Sequence, residues 1–222
     1  MAKTVAVIPA FNEEGRIGAV VKGAKGRVDA VLVVDDGSRD RTADEAKKAG
    51  AVAVRLPKNM GAGFATRKGA GFAIERMKAK RLVFIDADGQ HRPADIPRLL
   101  AKLDEGFDVA FTFRRHGKMP AIKRFGNWWL TFFTKLLTGV NISDSQSGFK
   151  AMTANAFRKM GLKSERYEIC SEIVFEAGRK GLKYCEIPIE TRGASSAKKG
   201  TGIRDGIRIF ALMLWMRARG LL

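Results

Sequence analysis

Residues 82–91, LVFIDADGQH, decide how the rest of the chain is read. The apolar run Leu82–Ile85 meets Asp86-Ala87-Asp88-Gly89, and Gln90 and His91 follow. A short apolar run bounded by Asp and Gly reads as a strand buried on both faces. Asp86 and Asp88 then fall at or just past its carboxyl end, the edge where open α/β sheets bind ligands. Two carboxylates one residue apart, with the Gln90 amide oxygen beyond them, are hard oxygen donors. They suit Mg2+ or Mn2+ completed by waters and substrate phosphate oxygens. On spacing alone, a polar loop after a strand is the competing reading.

The flanking sequence repeats the pattern. Thr4–Pro9 is a strand that runs into Phe11-Asn12-Glu13-Glu14, and Asn12 is placed to cap a helix reaching about Lys25. Ala30–Val34 is a second strand, ending in Asp35-Asp36-Gly37-Ser38, before a helix led by Asp40 and closed by Gly50. Val52–Leu56 is a third strand. Asn59-Met60-Gly61-Ala62-Gly63 is a flexible turn ahead of a helix to about Lys80. Beyond the central strand, Pro93 opens a helix through Glu105, and Phe107–Phe113 is another strand. Strands alternating with helices over short connections predict a single α/β domain, with a mostly parallel sheet covered on both faces. Acidic clusters at Glu13-Glu14, Asp35-Asp36 and Asp86-Asp88 then share one edge. Such carboxylates repel one another unless a cation or ligand donors sit among them.

The composition points the same way. The 222 residues carry 41 Lys and Arg against 23 acids, a net charge of +18, which implies an anionic partner: nucleic acid, an anionic membrane or a phosphorylated substrate. Cys170 and Cys185 show neither metal-ligand spacing nor a disulfide framework, as expected in a reducing cytosol. The first strand starts within a few residues of Met1, so no signal peptide is expected. The longest apolar run, Ile209–Met216, is well short of the roughly 20 residues of a spanning helix.

After residue 113 the character changes. Arg114, Arg115, His116, Lys118, Lys123 and Arg124 are basic, and a helical face follows with bulky residues at 128, 129, 132, 133, 136 and 137. That face suits either the core or a membrane interface. Ser143–Phe149 is a polar turn, 153–160 and 168–180 are helical, and Tyr184–Ile189 with Pro188 is an edge strand. A basic loop spans 193–202, and Ile203–Arg219 is a basic amphipathic helix, lying on a membrane surface or docked on the core.

Taken together the motifs resemble family 2 inverting glycosyltransferases of the GT-A fold, within them the dolichyl-phosphate mannose synthase and polyprenyl-phosphate hexosyltransferase group. Pro9–Glu14 is similar to P-x-[YFL]-N-E-E, Asp35–Thr42 to DDGS-x-D-x-T, and Asn59–Gly63 to N-x-G-x-G. Asp86–His91 resembles the family's metal motif and Asp144–Lys150 its D-[TS]-Q-S-G-[FL]-[KR]. The resemblance implies that 1–113 binds the nucleotide sugar, that 114–202 binds the acceptor, and that 203–222 is a membrane-surface helix. It implies that Pro9, Phe11, Glu13, Val34, Asp35 and Asp36, with Asp86 and Ala87, line the nucleotide-sugar pocket. Asp86, Asp88 and Gln90 would hold Mg2+ or Mn2+ on the diphosphate. Arg114, Arg124, Gln146, Ser147, Lys198 and Arg204 would bind the acceptor phosphate. Thr112-Phe113 departs from the family's usual G-S before the arginine.

The reaction expected is transfer of a hexose, from GDP-mannose or UDP-glucose, to a polyprenyl phosphate at the cytoplasmic membrane face, with Asp88, Arg114 and Asp144 as catalytic residues. An ionised phosphate acceptor needs no general base. Asp144 contacts the sugar, serves as base for a hydroxyl acceptor, or caps its own turn. His91 orients the metal loop or a phosphate, or is an ordinary loop histidine. Two other readings compete: transfer to a soluble polysaccharide or protein hydroxyl, and a basic nucleic-acid-binding domain. Acidic residues at the site edge and the lack of a nucleic-acid-binding motif argue against the latter. A dinucleotide fingerprint fails because Thr66 stands where the third glycine belongs.

Overall fold

The computed structural model describes residues 3–114, 132, 135 and 140–191. The chain runs β1 (Thr4–Ala10), α1 (Glu14–Lys25), β2 (Ala30–Asp35), α2 (Thr42–Lys48), β3 (Val52–Arg55), α3 (Ala62–Glu75) and β4 (Arg81–Phe84). A 3-10 turn at Pro93–Asp95 leads into α4 (Ile96–Asp104), then β5 (Val109–Arg114). β6 (Lys150–Thr153), α5 (Ala154–Met160), α6 (Ile169–Arg179) and β7 (Tyr184–Ile189) follow.

The strands form one sheet in the order β3-β2-β1-β4-β6-β5-β7. β1 lies parallel to β2 and β4, and β2 to β3. The sheet is therefore mostly parallel, as expected, and its centre is the strand of the opening motif beside β1. One strand was not foreseen. β6 inserts antiparallel between β4 and β5, with Lys150 opposite both Phe84 and Phe111. β7 pairs with β5 at the sheet edge, and Pro188, which has no N–H to give, sits there opposite Phe113.

Alternation along the strands builds two cores. Val5, Val7, Leu32, Val34, Leu82, Phe84, Val109, Phe111 and Met152 face α3 and α6. Ala6, Ile8, Val31, Val33, Val83, Ile85, Ala110 and Ala151 face α1 and α4. A helix with apolar positions three to four apart closes each side, as Ile96, Leu99 and Leu103 do in α4. α3 packs unusually close. A Cβ on Gly69 would come within 2.6 Å of Val7 and 2.7 Å of Val34.

Several boundaries differ from expectation. α3 ends at Glu75, short of Lys80, and Lys78 takes a left-handed φ of 59°. Asn12 does not cap α1. It has φ 54°, and its Oδ1 accepts the Arg39 N–H at 2.8 Å, so it ties the β1 loop to the β2 loop. Among the described residues, no helix is long and apolar enough to cross a membrane. Phe132 and Lys135 of the aromatic segment are helical, and Phe132 is exposed. Arg124, Lys198, Arg204, the 193–202 loop and the 203–219 helix lie outside the described residues.

Candidate active site

The carboxyl ends of β1, β2, β4 and β5 and the amino end of β6 meet along one edge, because β6 runs against its neighbours. That edge gathers Glu13, Asp35, Asp36, Asp86, Asp88, Arg114 and the 144–149 turn. The β1 and β2 loops are knitted to each other: Asn12 N donates to Ser38 Oγ at 2.9 Å, and Glu13 N to Thr42 Oγ1 at 2.8 Å. These bonds satisfy backbone groups that the strand ends would otherwise leave unpaired.

Each acid has its own compensation. Glu13 accepts from Arg16 Nε at 2.6 Å. Asp36 uses both oxygens on backbone N–H groups, Met60 at 2.7 Å and Gly61 at 2.9 Å. Burial, with Asp35 beside it, still pushes the Asp36 carboxyl up. Asp35 is fully buried. Its Oδ1 accepts the Ser38 N–H at 2.9 Å, and its Oδ2 has Arg55 Nε at 3.4 Å but no hydrogen bond. A buried oxygen with unspent acceptor capacity fits a residue that receives a base N–H. The side chains of Val34 and Ala87 belong to the two cores, so a place for either in the pocket falls to its backbone. Pro9 is half-buried and Phe11 is 37% exposed.

Asp86 and Asp88 follow β4 directly. His91 Nε2 lies 3.2 Å from Asp86 Oδ2, and its ring packs 5.4 Å from that of Phe149. Partial removal from water pushes the Asp86 carboxyl up, but His91, Lys150 and Arg114 outweigh it and hold it below the ordinary carboxylate range. Asp88 is the opposite case: burial and then the Asp86 charge push its carboxyl up, and Glu13 adds to this. Gln90 donates to Asp88 through both its backbone N–H (3.0 Å) and its Nε2 (2.6 Å). In this arrangement Gln90 fixes a carboxylate, where the sequence suggested a third ligand.

The donor set fits a divalent ion that a substrate completes. Among the described residues no three His, Cys, Asp or Glu side chains form a cage of their own. What is present is a pair of carboxylates that repel each other, and Mg2+ is held by one or two carboxylates plus substrate phosphates.

Arg114 grips Asp144 with two hydrogen bonds, Nε to Oδ2 at 2.6 Å and Nη2 to Oδ1 at 3.1 Å. Such a fork is strong and directional. Asp144 Oδ1 also accepts the Gln146 N–H at 3.0 Å, so the turn-capping reading holds. Ser147 is not free to bind a phosphate as it stands. Thr112 Oγ1 donates its one proton to Phe149 O at 2.6 Å, so Ser147 Oγ donates to Thr112 at 2.7 Å. The larger residue at 112 thus anchors the turn to β5. Gln146 Nε2 bonds Ser171 Oγ at 2.8 Å.

Two neighbours of Asp86 escaped the sequence reading. Gly148 lies against its carboxylate, where a Cβ would collide with both oxygens. Lys150 is almost fully buried, and its charge acts on both Asp86 and Cys170. Both stood in a quoted motif, but only the antiparallel β6 carries them to β4.

The family model described as "Glycosyl transferase family 2" matches residues 5–161. The chain belongs to glycosyl transferase family 2. It is an enzyme, a glycosyltransferase, and its sheet is the GT-A fold the motifs implied. An uncharacterised protein of Methanocaldococcus jannaschii is 39% identical, over 95% of this chain and 90% of that protein. The UDP-N-acetylglucosamine–dolichyl-phosphate N-acetylglucosaminyltransferase of Methanococcus voltae is 34% identical, over 95% of this chain and 94% of its own length. Glucosyl-3-phosphoglycerate synthase from Mycobacterium tuberculosis shares the fold. Its UDP complex superposes with a TM-score of 0.78 at 22% identity, covering 96% of this chain and 79% of that one. A complex of the same synthase with Mg2+ and UDP gives a TM-score of 0.77 at 20% identity, covering 97% of this chain and 79% of that one.

Proposed function

We propose that this family 2 glycosyltransferase moves a hexose from a nucleotide sugar to the phosphate of a polyprenyl lipid, with inversion at the anomeric carbon. Asp35 receives the base and Phe11 flanks it, while Asp86 and Asp88, with Gln90 steadying Asp88, hold Mg2+ or Mn2+. That ion, when bound, neutralises charge developing on the departing nucleoside diphosphate. Arg114 and Lys150 add positive charge beside Asp86, where phosphate groups of both substrates come together. GDP-mannose, UDP-glucose and UDP-N-acetylglucosamine are the donors to test. The last is the donor in the name of the M. voltae relative, which also gives dolichyl phosphate as its acceptor.

The observation that carries the acceptor assignment is the Arg114–Asp144 fork. A hydroxyl acceptor needs a carboxylate base with a free oxygen lone pair near the sugar. Asp144, the carboxylate offered for that role, is buried and has both oxygens committed to a guanidinium. A phosphate acceptor is already ionised and needs no such group. The basic and aromatic sequence at 114–137 and 203–219 supports peripheral docking on an anionic, cytoplasmic membrane face, at about 1 kcal/mol per basic residue.

The test is a panel of labelled nucleotide sugars with a short polyprenyl phosphate, the matching polyprenol and simple sugars, with Mg2+ or Mn2+ and with chelator. Metal-dependent label on the phosphate lipid alone is expected. Label on a hydroxyl acceptor, or transfer that survives chelation, overturns the assignment.

A further inference from the structure

A segment beyond residue 161, where the family match ends, is built into the nucleotide side of the cleft. Glu172, on α6, is buried, and its two oxygens accept two successive backbone N–H groups, Lys163 to Oε1 and Ser164 to Oε2, each at 2.8 Å. A carboxylate spent in this way fixes the path of a loop, because moving the loop strands a buried charge. The loop it fixes presses on the start of α3. Phe64 N donates to Glu165 O at 2.9 Å, and Arg67 Nε to Ser164 O at 3.1 Å.

The approach is close enough to demand glycine. A Cβ on Gly63 would lie 2.6 Å from the carbonyl oxygens of both Ser164 and Arg166. Gly61 has φ 102°, and a Cβ there would meet the Glu165 carbonyl and lie 3.1 Å from Arg166 Cγ. The same Gly61 donates its N–H to Asp36 at 2.9 Å. One unbroken chain of contacts therefore runs from Glu172 through the 163–166 backbone and Gly61 to Asp36, at the carboxyl end of β2. Arg166 is exposed at the top of this chain, and its charge acts on Asp36.

We infer that residues 163–166 form the outer wall of the donor pocket, that Arg166 binds the nucleoside diphosphate, and that Glu172 is the positioning residue that holds Arg166 there. Arg166 is an exposed guanidine side chain whose Cγ packs near Gly61 and whose charge acts on Asp36, on the side of the cleft where the nucleotide is proposed to lie. It offers planar paired donors to base carbonyls or to the diphosphate. The glycines of the N-x-G-x-G motif thereby acquire a second purpose: they leave space for this wall.

The inference rests on the nucleotide-sugar reading above, and the experiment separates the two. Calorimetry with UDP and with GDP, each with Mn2+, is run on the wild type, Arg166→Ala, Glu172→Gln and Gly63→Ala, with Mn2+ alone as a control. Donor KM, acceptor KM and kcat are measured on the same proteins. Arg166 is a surface side chain, so its variant folds irrespective of how the others behave. Expected are donor Kd and KM raised about ten-fold in all three variants, with Mn2+ affinity, acceptor KM and kcat within about two-fold of wild type. Arg166→Ala with unchanged nucleotide affinity overturns the inference, as does a Glu172→Gln variant that loses melting temperature yet keeps donor KM. A wild type that binds neither nucleotide removes the underlying reading instead.

Discussion

Gly148→Ala tests the geometry of the proposed cation site with a single methyl group. The backbone at Gly148 is not left-handed, so alanine is acceptable there on conformational grounds, and the effect is one of contact alone. The added Cβ would lie 2.6 Å from Asp86 Cγ and closer still to both carboxylate oxygens. Ordinary carbon contacts begin near 3.5 Å, so something moves by about 1 Å. The turn resists, because Phe149 is fully buried and Thr112 holds both Ser147 Oγ and Phe149 O. The Asp86 side chain is 45% exposed and moves more easily. It then parts from His91 and from the line it shares with Asp88. A misplacement of about 1 Å at a reacting centre costs about 100-fold, or about 2.7 kcal/mol. Mn2+ titration followed by paramagnetic resonance, with single-turnover transfer in parallel, checks both parts. Mn2+ affinity and rate are expected to fall together while the melting temperature holds within a few degrees. Wild-type affinity in Gly148→Ala would show that Asp86 does not hold the ion.

Asp88→Asn is expected to abolish the metal response and to raise the melting temperature of the metal-free protein. Burial and Asp86 raise the folded carboxyl, so between the ordinary and the raised value the folded state keeps a proton that the unfolded state has lost. Stability accordingly falls as pH rises through that window, and asparagine removes the loss. Each kcal/mol regained appears as about 2–4 °C at this chain length, and a variant that melts below wild type at pH 7 refutes the argument. Arg114→Ala takes the guanidinium from the buried Asp144, which keeps the Gln146 N–H, and the loss of a charge-assisted contact is expected to cost about 1.5–3 kcal/mol. Denaturant unfolding of Arg114→Ala, Asp144→Ala and the double variant reads the coupling. Strictly additive losses contradict the fork.

The strand ends were legible because an apolar run that stops at an acid carries both its secondary structure and its place in the sheet. The partners of those acids were not. Asp36 reads as lining the nucleotide pocket, and its sequence gives no sign that it also holds the Met60 and Gly61 amides, twenty-four and twenty-five residues on. Asn12 reads as a helix cap because local spacing favours it, but a left-handed backbone turned it toward Arg39. The strand Lys150–Thr153 is four residues long and abuts a helical pattern, so period alone does not separate it from α5. With β6 unseen, nothing in the sequence brought Gly148 or Lys150 to Asp86. His91 was within reach of a sequence argument, and one of its two expected roles, orienting the metal loop, matches its 3.2 Å contact.

The contacts also sharpen the reason for expecting a cation. Acidic clusters in a protein of net charge +18 suggested that a cation, or donors from a ligand, must sit among them. In the structure most hold without one. Glu13 has Arg16, Asp36 has two amides, Asp144 has Arg114, and Asp86 has His91 with the charges of Lys150 and Arg114. Asp88 is different, for its hydrogen bonds come from the neutral Gln90 while Asp86 and Glu13 both press against its charge. The deficit of positive charge is therefore local to one side of Asp86 and not spread along the edge. Asp86 and Asp88 are the residues that would hold a divalent ion there, and its positive charge would relieve the deficit, while Arg114 and Lys150 already act on Asp86.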